Sequence, residues 1–247
     1  MIAPWLLVLS DLSIASSRAV ETRLTPVTII GSENLLIIDF PGNLILINEL
    51  MDRVKGLHIN QETLIGHLIS LINVHFVSEL RRQKQTIDQL DRSARVTTKN
   101  AELFKLADTE RDLVYLQHTL EDQRRVLARL WKDARFSRAL TDPDLKQHIQ
   151  LNQRYAEKLI AIYRDLVDST GSLFTDMMNN NLNHLMQYLN SASLVISVPA
   201  LIAGIWGMNT GGLPGRNAAF GFWIVVGATV LITVASAAYL ARKDYSK

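Results

Sequence analysis

The stretch from Pro199 to Pro214 reads PALIAGIWGMNTGGLP and closes the first of two long apolar runs. The first run extends from Leu194 to Trp206, and the second, from Phe220 to Leu240, follows after a short link containing Gly and Pro. Between Asp176 and Arg242, Arg216 in that link is the only Asp, Glu, Lys or Arg. A long segment with so little charge predicts membrane helices.

The two runs predict transmembrane helices at 191–208 and 220–240, joined by an extracytoplasmic loop at 209–219, because about 20 apolar residues span a bilayer. The tail, 241–247, carries three basic residues. Since cytoplasmic flanks are enriched in Lys and Arg, this tail is predicted to be cytoplasmic. Two crossings then place the N-terminus in the cytoplasm as well.

Upstream of the membrane segment the sequence is densely charged and has helical periodicity. Helices are predicted at Gln61–Arg95 and Asn100–Phe136, forming an antiparallel helical coiled coil over 60–140. The second helix has a heptad of leucines. Its members are Leu106, Leu113, Leu120 and Leu127, with Leu116 and Leu130 beside them.

A stalk helix is predicted over 141–190. Asp142 suits the N-cap and Pro143 suits the first helical position. With no further proline before Pro199, the helix is predicted to run unbroken into the membrane and to end near Trp206.

Residues 1–59 contain brief apolar runs separated by turn residues, which predict a small N-terminal α/β portion. The predicted strands are Trp5–Leu9, Val27–Ile30, Leu35–Phe40 and Leu44–Ile47. Val27–Phe40 is predicted to be a hairpin that turns at Gly31–Asn34.

Uncharged polar residues are concentrated where the stalk meets the first membrane helix. They are Asn179, Asn180, Asn181, Asn183, His184, Gln187 and Asn190. Amides that face lipid are costly, whereas amides that face a water-filled axis are not. The stretch predicts a pore in a homo-oligomer, and hydrogen bonds between helices without conduction are the alternative.

Gly207-Met208-Asn209 ends the penultimate apolar helix, after a very long polar helix and before a short basic tail. This layout resembles the CorA-type divalent metal-ion transporters, whose signature is Gly-Met-Asn. The resemblance implies a mostly α fold with a small N-terminal α/β portion and long coiled-coil stalk helices leading into two C-terminal transmembrane helices. It also implies a CorA-like homopentamer in the lipid bilayer, with divalent cations as partners. Family members carry a larger N-terminal domain, so residues 1–59 are expected to be a reduced or truncated version.

The resemblance also implies site residues. Gly207, Met208 and Asn209 would form the selectivity loop, and Asn209 would contact the metal through its hydrating water. Mg²⁺ gives up water reluctantly, so a ring of amide oxygens suits the hydrated ion. Gly207 is expected to allow close backbone packing or an unusual dihedral at the helix end, and Met208 is expected to pack and fix the loop.

Further inside, the family's Asn–x–x–Met–x–x–Leu pore stretch falls on Asn183, Met186 and Leu189. Met186 and Leu189 would form an apolar constriction that gates by dewetting. Higher in the membrane, the implied pore-lining residues are Ser197, Ala200 and Gly204.

The loop bears on the identity of the ion. Magnesium-type members often have an acidic residue soon after the motif, whereas Thr210–Arg216 has none and is similar to the ZntB zinc-transporting branch. The transported ion stays open between Mg²⁺, with Co²⁺ or Ni²⁺, and Zn²⁺.

Other functions have little support. The chain has no P-loop, G-x-S-x-G or H-E-x-x-H motif and no cysteine, so we expect neither an enzyme nor a covalently bound cofactor. Basic residues are spread along the chain, so no nucleic-acid partner is expected. His67 and His75 share one helix face, where structural roles are favoured over metal ligation. A cytoplasmic cation sensor, as in the family, and a solvated acidic face are alternatives for Asp88, Asp91, Asp108, Glu110 and Asp112.

The sequence therefore predicts a CorA-like Mg²⁺/Co²⁺ channel or transporter. One alternative is a ZntB-like proton-linked zinc transporter. The others are a non-conducting membrane-anchored coiled-coil scaffold and a truncated, inactive paralogue.

Overall fold

A computed structural model describes residues 5–13, 19–32, 35–42, 44–97, 99–140, 142–208 and 220–242. This part of the chain is mostly helical with one small N-terminal sheet, as the sequence predicts. In chain order the elements are β1 (Trp5–Leu12), α1 (Val20–Arg23), β2 (Leu24–Gly31), β3 (Leu36–Asp39), α2 (Leu44–Val54), α3 (Gln61–Ala94), α4 (Asn100–Lys132), α5 (Ala134–Ala139), α6 (Pro143–Trp206) and α7 (Gly221–Arg242). The chain forms two units, an N-terminal unit (Met1–Thr175) and a C-terminal unit (Asp176–Lys247), and α6 contributes residues to both.

The sheet of the N-terminal unit is antiparallel, with the strand order β1-β2-β3. Because side chains alternate along a strand, one face is buried and contacts α3 and α4 through β1. The buried face carries Leu7, Leu9, Val27 and Ile29, and the exposed outer face carries Leu6, Val8, Ile30 and Ile37. Pairing of β2 with β3 confirms the predicted hairpin.

The prediction of a strand at Leu44–Ile47 is wrong, because these residues begin α2. A short apolar run does not distinguish a strand from a buried helix turn. The buried side chains of α2 are Leu46 and Leu50, whose spacing of four residues is helical.

The long helices of the N-terminal unit enclose its core. Asn60 caps α3: its Oδ1 accepts from the Thr63 N–H at 2.8 Å, and its Nδ2 donates to the Ala139 carbonyl at 2.7 Å. The leucine heptad of α4 is buried, as predicted from its period.

The second predicted helix is interrupted. Instead of running to Phe136, it ends at Lys132, and α5 begins after Asp133. The Asp133 Oδ1 accepts from the Arg135 N–H at 2.8 Å and the Phe136 N–H at 3.3 Å. Asp133 is therefore an N-cap that starts a new helix.

The start of α6 agrees with the predicted cap. The Asp142 Oδ1 accepts from the N–H groups of Asp144 at 3.0 Å and Leu145 at 3.1 Å, and Pro143 is the first helical residue. The helix continues through Pro199 to Trp206.

Within the described ranges, three helices are long and apolar enough to cross a membrane: α3, α6 and α7. The apolar part of α3 is mostly buried inside the N-terminal unit, so its apolar character is explained by the core. The apolar stretches of α6 and α7 are exposed.

Candidate functional site

The sequence-predicted pore residues lie together on one face of α6. Asn183, Met186, Leu189, Ser197, Ala200 and Gly204 fall within about 120° of one another at 3.6 residues per turn. All six are exposed in the single chain. Because α6 is continuous over this region, the helical register that relates them is unbroken.

Three further residues on the same face complete a regular stripe, and Leu182 and Leu201, both exposed, also fall within this arc. Its members, called here the 179–204 stripe, are Asn179, Asn183, Met186, Asn190, Ser193, Ser197, Ala200 and Gly204. They follow one another at alternating spacings of four and three residues, which keeps them on one face. Leu189 lies at the edge of this face.

Seven of the eight stripe residues are small or bear a polar side chain, and all eight are exposed. The partly buried positions of α6 between Ser191 and Trp206 lie on the opposite side of the helix. They are Ser191, Ala192, Val195, Val198, Pro199, Ile202 and Trp206. In the single chain, the stripe is therefore exposed on the side of α6 opposite its partly buried positions.

Asn179 and Asn190 belong to the polar stretch for which the sequence predicts a pore, although they are not among the individually predicted pore-lining residues, and Ser193 is in neither set. The four-and-three spacing of small and polar residues is the signal that identifies them. Because α6 continues from the Asn-rich stretch to Trp206, this spacing keeps the residues on one face of a single helix.

The hydroxyl of Ser197 already has a partner within the helix. Its Oγ donates to the Leu194 carbonyl at 2.9 Å. A hydroxyl that donates to its own helix keeps its oxygen lone pairs available as acceptors. Along the stripe it can therefore accept a hydrogen bond from water.

Gly207 and Met208 form the turn that ends α6. The Gly207 N–H donates to the Ala203 carbonyl at 2.8 Å, and the Met208 N–H donates to the Ile205 carbonyl at 3.2 Å. A Cβ at position 207 would lie 3.1 Å from the Ala203 oxygen, so the close backbone approach favours glycine. The expected close packing is present, whereas Gly207 does not have a positive φ.

Met208 is 52% exposed in the single chain. Asn209, the third residue of the motif, and the loop as far as residue 219 lie outside the described residues. Of the predicted selectivity loop, the structure describes Gly207 and Met208.

Most of the acidic residues considered for a cation sensor form ion pairs or hydrogen bonds with neighbouring groups. Asp88 pairs with Lys84, Asp91 with Arg95 and Asp108 with Arg111, and all three pairs are exposed. Asp112 accepts from the Val20 N–H at 3.0 Å and from Gln83 Nε2 at 3.2 Å, whereas Glu110 is exposed. In the described ranges, no group of three or more His, Asp or Glu side chains is arranged to hold a metal ion.

The two histidines on α3 have different surroundings and do not form a metal pair. His75 is buried and lies between two carboxylates, those of Asp11 and Glu49. Burial lowers the pKa of His67, the charge of Arg53 lowers it further, and Asp142 acts in the opposite direction. These surroundings agree with structural roles for both histidines, which the sequence favours over metal ligation.

Comparison with known proteins places the chain in a family. The sequence profile described as "CorA-like Mg2+ transporter protein" matches residues 3–242. The cobalt/magnesium transport protein CorA of Methanocaldococcus jannaschii is 24% identical over 169 residues, covering 68% of this chain and 53% of that protein. The zinc transport protein ZntB of Yersinia pestis is 27% identical over 148 residues, covering 57% and 43%. The chain spans about half the length of the curated relatives it matches.

Solved structures share the fold. The complete structure of the CorA magnesium transporter from Methanocaldococcus jannaschii has a TM-score of 0.77 at 20% identity, covering 98% of this chain and 77% of that chain. The full-length CmaX protein has a TM-score of 0.68 at 16% identity, covering 96% and 74%. Since the family profile matches nearly the whole sequence, the chain belongs to the CorA-like family of divalent metal-ion transporters.

Proposed function

We propose that this chain is a CorA-like channel or transporter that passes hydrated Mg²⁺ or Co²⁺ along a pore lined by the 179–204 stripe. The observation that carries the proposal is the stripe itself. It is an exposed row of amide, hydroxyl and small side chains on a helix whose apolar stretch could span a membrane. In lipid such a row would be unfavourable, whereas against a column of water it is favourable.

The chemistry of the stripe suits a hydrated divalent ion. Asn and Ser oxygens accept hydrogen bonds from the water shell of the ion without replacing it. Since Mg²⁺ dehydrates reluctantly, weak contacts through water allow both entry and release. Met186, with Leu189 at the edge, supplies an apolar level at which the column of water can break. At the outer end, Asn209 would provide the selecting ring.

Conduction requires several copies of the chain, because one helix face cannot enclose a pore. An apolar stripe on the part of α6 in the N-terminal unit supports self-association. Its members are Leu151, Tyr155, Ile162 and Leu166, all exposed. Their spacings of four, seven and four keep them within about 60° of one another at 3.6 residues per turn, as in a coiled-coil seam. We propose a homopentamer, the state that the family resemblance implies.

The membrane is proposed to be crossed by the C-terminal part of α6 and by α7. Both are long and apolar enough, and their apolar stretches are exposed. The hydroxyls of Thr229 and Thr233 in α7 donate to the carbonyls of Val225 and Thr229, each at 2.7 Å, so neither requires a partner in lipid. We propose that both termini lie in the cytoplasm of a plasma (inner) membrane protein, because cytoplasmic flanks are enriched in Lys and Arg as this tail is.

A ZntB-like zinc transporter is the second candidate. Relatives named zinc transport protein ZntB match this chain at 27% identity, and the loop after the motif has no acidic residue. An acidic ring would concentrate cations at the pore entrance. A loop without acidic residues lacks this attraction, which favours uptake that is driven in another way, such as by a proton gradient.

The test is metal flux into proteoliposomes that contain the purified full chain. A Mg²⁺ dye and a Zn²⁺ dye are read in parallel, with and without a pH gradient. Mg²⁺ entry without the gradient is expected. Zn²⁺ entry that needs the gradient would instead support the ZntB-like function.

The matched variant is Asn209→Ala, with cross-linking to compare its assembly with that of the parent chain. We expect flux to fall at least tenfold while the pattern of cross-linked species is unchanged. Normal flux in this variant would contradict the role of Asn209. No flux of either ion from folded parent chain, with cross-links limited to dimers, would favour a non-conducting scaffold.

A further inference from the structure

His75 connects two elements of the N-terminal unit. From α3, its Nδ1 lies 2.9 Å from Asp11 Oδ1 of β1, and its Nε2 lies 2.8 Å from Glu49 Oε2 of α2. His75 and Asp11 are buried, whereas the side chain of Glu49 is 41% exposed. One imidazole therefore bridges the buried sheet and a surface helix.

This arrangement requires an extra proton. Ionised carboxylates only accept hydrogen bonds, and a neutral imidazole has a single N–H to donate. Two simultaneous hydrogen bonds from the ring therefore need one proton more than a neutral histidine between two carboxylates provides. Burial opposes the charge, but the hydrogen bond and charge of Asp11, followed by those of Glu49, outweigh it and raise the pKa of His75.

Other charged groups near α3 are engaged elsewhere. One turn further along, Glu79 pairs with Arg23 of α1 and with Arg82. From α4, Asp112 accepts from Gln83 and from the Val20 N–H. From α6, the Ile149 carbonyl accepts from Asn73 Nδ2 at 3.5 Å, about 200° around α3 from His75. On α2 itself, Asp52 and Arg53 are exposed. Asp11 and Glu49 are thus the charged groups that face the ring.

We propose that His75 is a pH-operated latch: while it holds its extra proton it fastens α2 to β1 and α3, and loss of that proton releases Glu49 and loosens α2. Asp11 is fully buried and Glu49 is half-exposed, so losing the hydrogen bond from His75 would cost more at Asp11 than at Glu49. The remaining N–H stays on Nδ1, facing Asp11, and Glu49 becomes solvated.

After release, α2 keeps its buried side chains but loses the bridge through His75 to β1. It has 11 residues, of which Leu46 and Leu50 are buried. Isolated helices of this length are marginal in water. Because the pKa of His75 is raised in the folded protein, its stabilising contribution is complete below the unfolded value of about 6.5. That contribution is lost as the pH rises through the folded pKa. The latch is a property of the N-terminal unit and does not depend on which ion is transported.

The experiment is hydrogen exchange of the full chain in lipid nanodiscs over a series of pH values, corrected for intrinsic exchange rates. We expect protection of α2 to fall about tenfold across the His75 titration, the factor for losing one hydrogen bond to a charged group. Protection of α4 should stay constant. Protection of α2 that is flat across the same range would overturn the proposal.

Glu49→Gln distinguishes the latch from a general effect of pH. The variant keeps the size of the side chain and an acceptor oxygen but removes the charge that holds the proton. The midpoint of His75, followed by NMR of labelled histidine, and the loss of α2 protection should move together to lower pH. Asp52→Asn removes the same charge from an exposed position of the same helix and should move neither. Equal shifts of the His75 midpoint and of α2 protection in the two variants would contradict the proposal.

Discussion

The Oε1 atom of Glu79 in α3 lies 2.7 Å from Nη2 of Arg23 in α1, and both side chains are almost completely buried. The same oxygen accepts from Arg82 Nη2 and from Gln83 Nε2, each at 2.9 Å. Through Gln83 the network extends to Asp112 of α4. One carboxylate thus joins three helices of the N-terminal unit.

Removing this carboxylate should strongly destabilise the unit. Glu79→Gln removes the charge that pairs with the buried Arg23 guanidinium, and breaking a buried pair from one side typically costs about 3–5 kcal/mol. We expect a large drop in the midpoint of thermal unfolding of the full chain, followed by circular dichroism.

The control for that variant is Asp108→Asn, which breaks an exposed ion pair with Arg111. Exposed pairs contribute at most about 1 kcal/mol, so little change is expected. A similar small change for Glu79→Gln would mean that the buried pair contributes no more than a surface pair.

The two α3 histidines should affect stability at opposite ends of the pH range. His67 favours its neutral form, so its contribution is present above about pH 6.5 and is lost as the pH falls through its lowered pKa. His75 behaves in the reverse sense, and its contribution is lost as the pH rises. The free energy of unfolding, measured against pH, should flatten on the acid side in His67→Gln and on the alkaline side in Glu49→Gln. Flattening on the same side in both variants would refute this assignment.

The turn after α6 should be sensitive to a single methyl group. In Gly207→Ala the new Cβ would lie 3.1 Å from the Ala203 carbonyl oxygen, so the last turn must shift and carry the motif with it. We expect at least a tenfold loss of metal flux in proteoliposomes with assembly intact. Gly227→Ala in α7 is the matched control, because its added Cβ meets no atom within 4 Å beyond its chain neighbours and the backbone of its own helix, and its flux should equal that of the parent chain.

The 179–204 stripe can be tested by identical substitutions on two faces. Asn190→Leu places a large apolar side chain on the stripe and should lower flux at least tenfold by interrupting the column of water. Asn180→Leu makes the same change off the stripe and should leave flux within about twofold of the parent chain. Equal effects of the two variants would show that the amides act in interhelical hydrogen bonding without lining a pore.

Much of the helical architecture could be predicted from local sequence. The start of α6 is encoded by Asp142 and Pro143, and the buried face of α4 by leucines at heptad spacing. These signals depend on residues that are near one another in the chain, so they favour the same local structure whatever the tertiary contacts are. The small-residue turn at Gly207 belongs to the same class.

Features that depend on distant residues were not predictable. Leu44–Ile47 has the composition of a strand but forms a helix, because Leu46 and Leu50 are buried in the N-terminal unit. The bridge from Asp11 through His75 to Glu49 joins residues 64 and 26 positions apart, and no motif connects them. The geometry around Asn209 stays a prediction.

The burial of α3 has a consequence for biosynthesis. By length and composition α3 qualifies as a third membrane helix, and three crossings would place the two ends of the chain on opposite sides of the bilayer. When α3 leaves the ribosome, α4 and α6 are not yet made. During that interval the basic residues Arg81, Arg82 and Lys84 in its second half oppose insertion. In the proposed topology of two crossings, burial of α3 in the N-terminal unit keeps this helix from adding a third crossing.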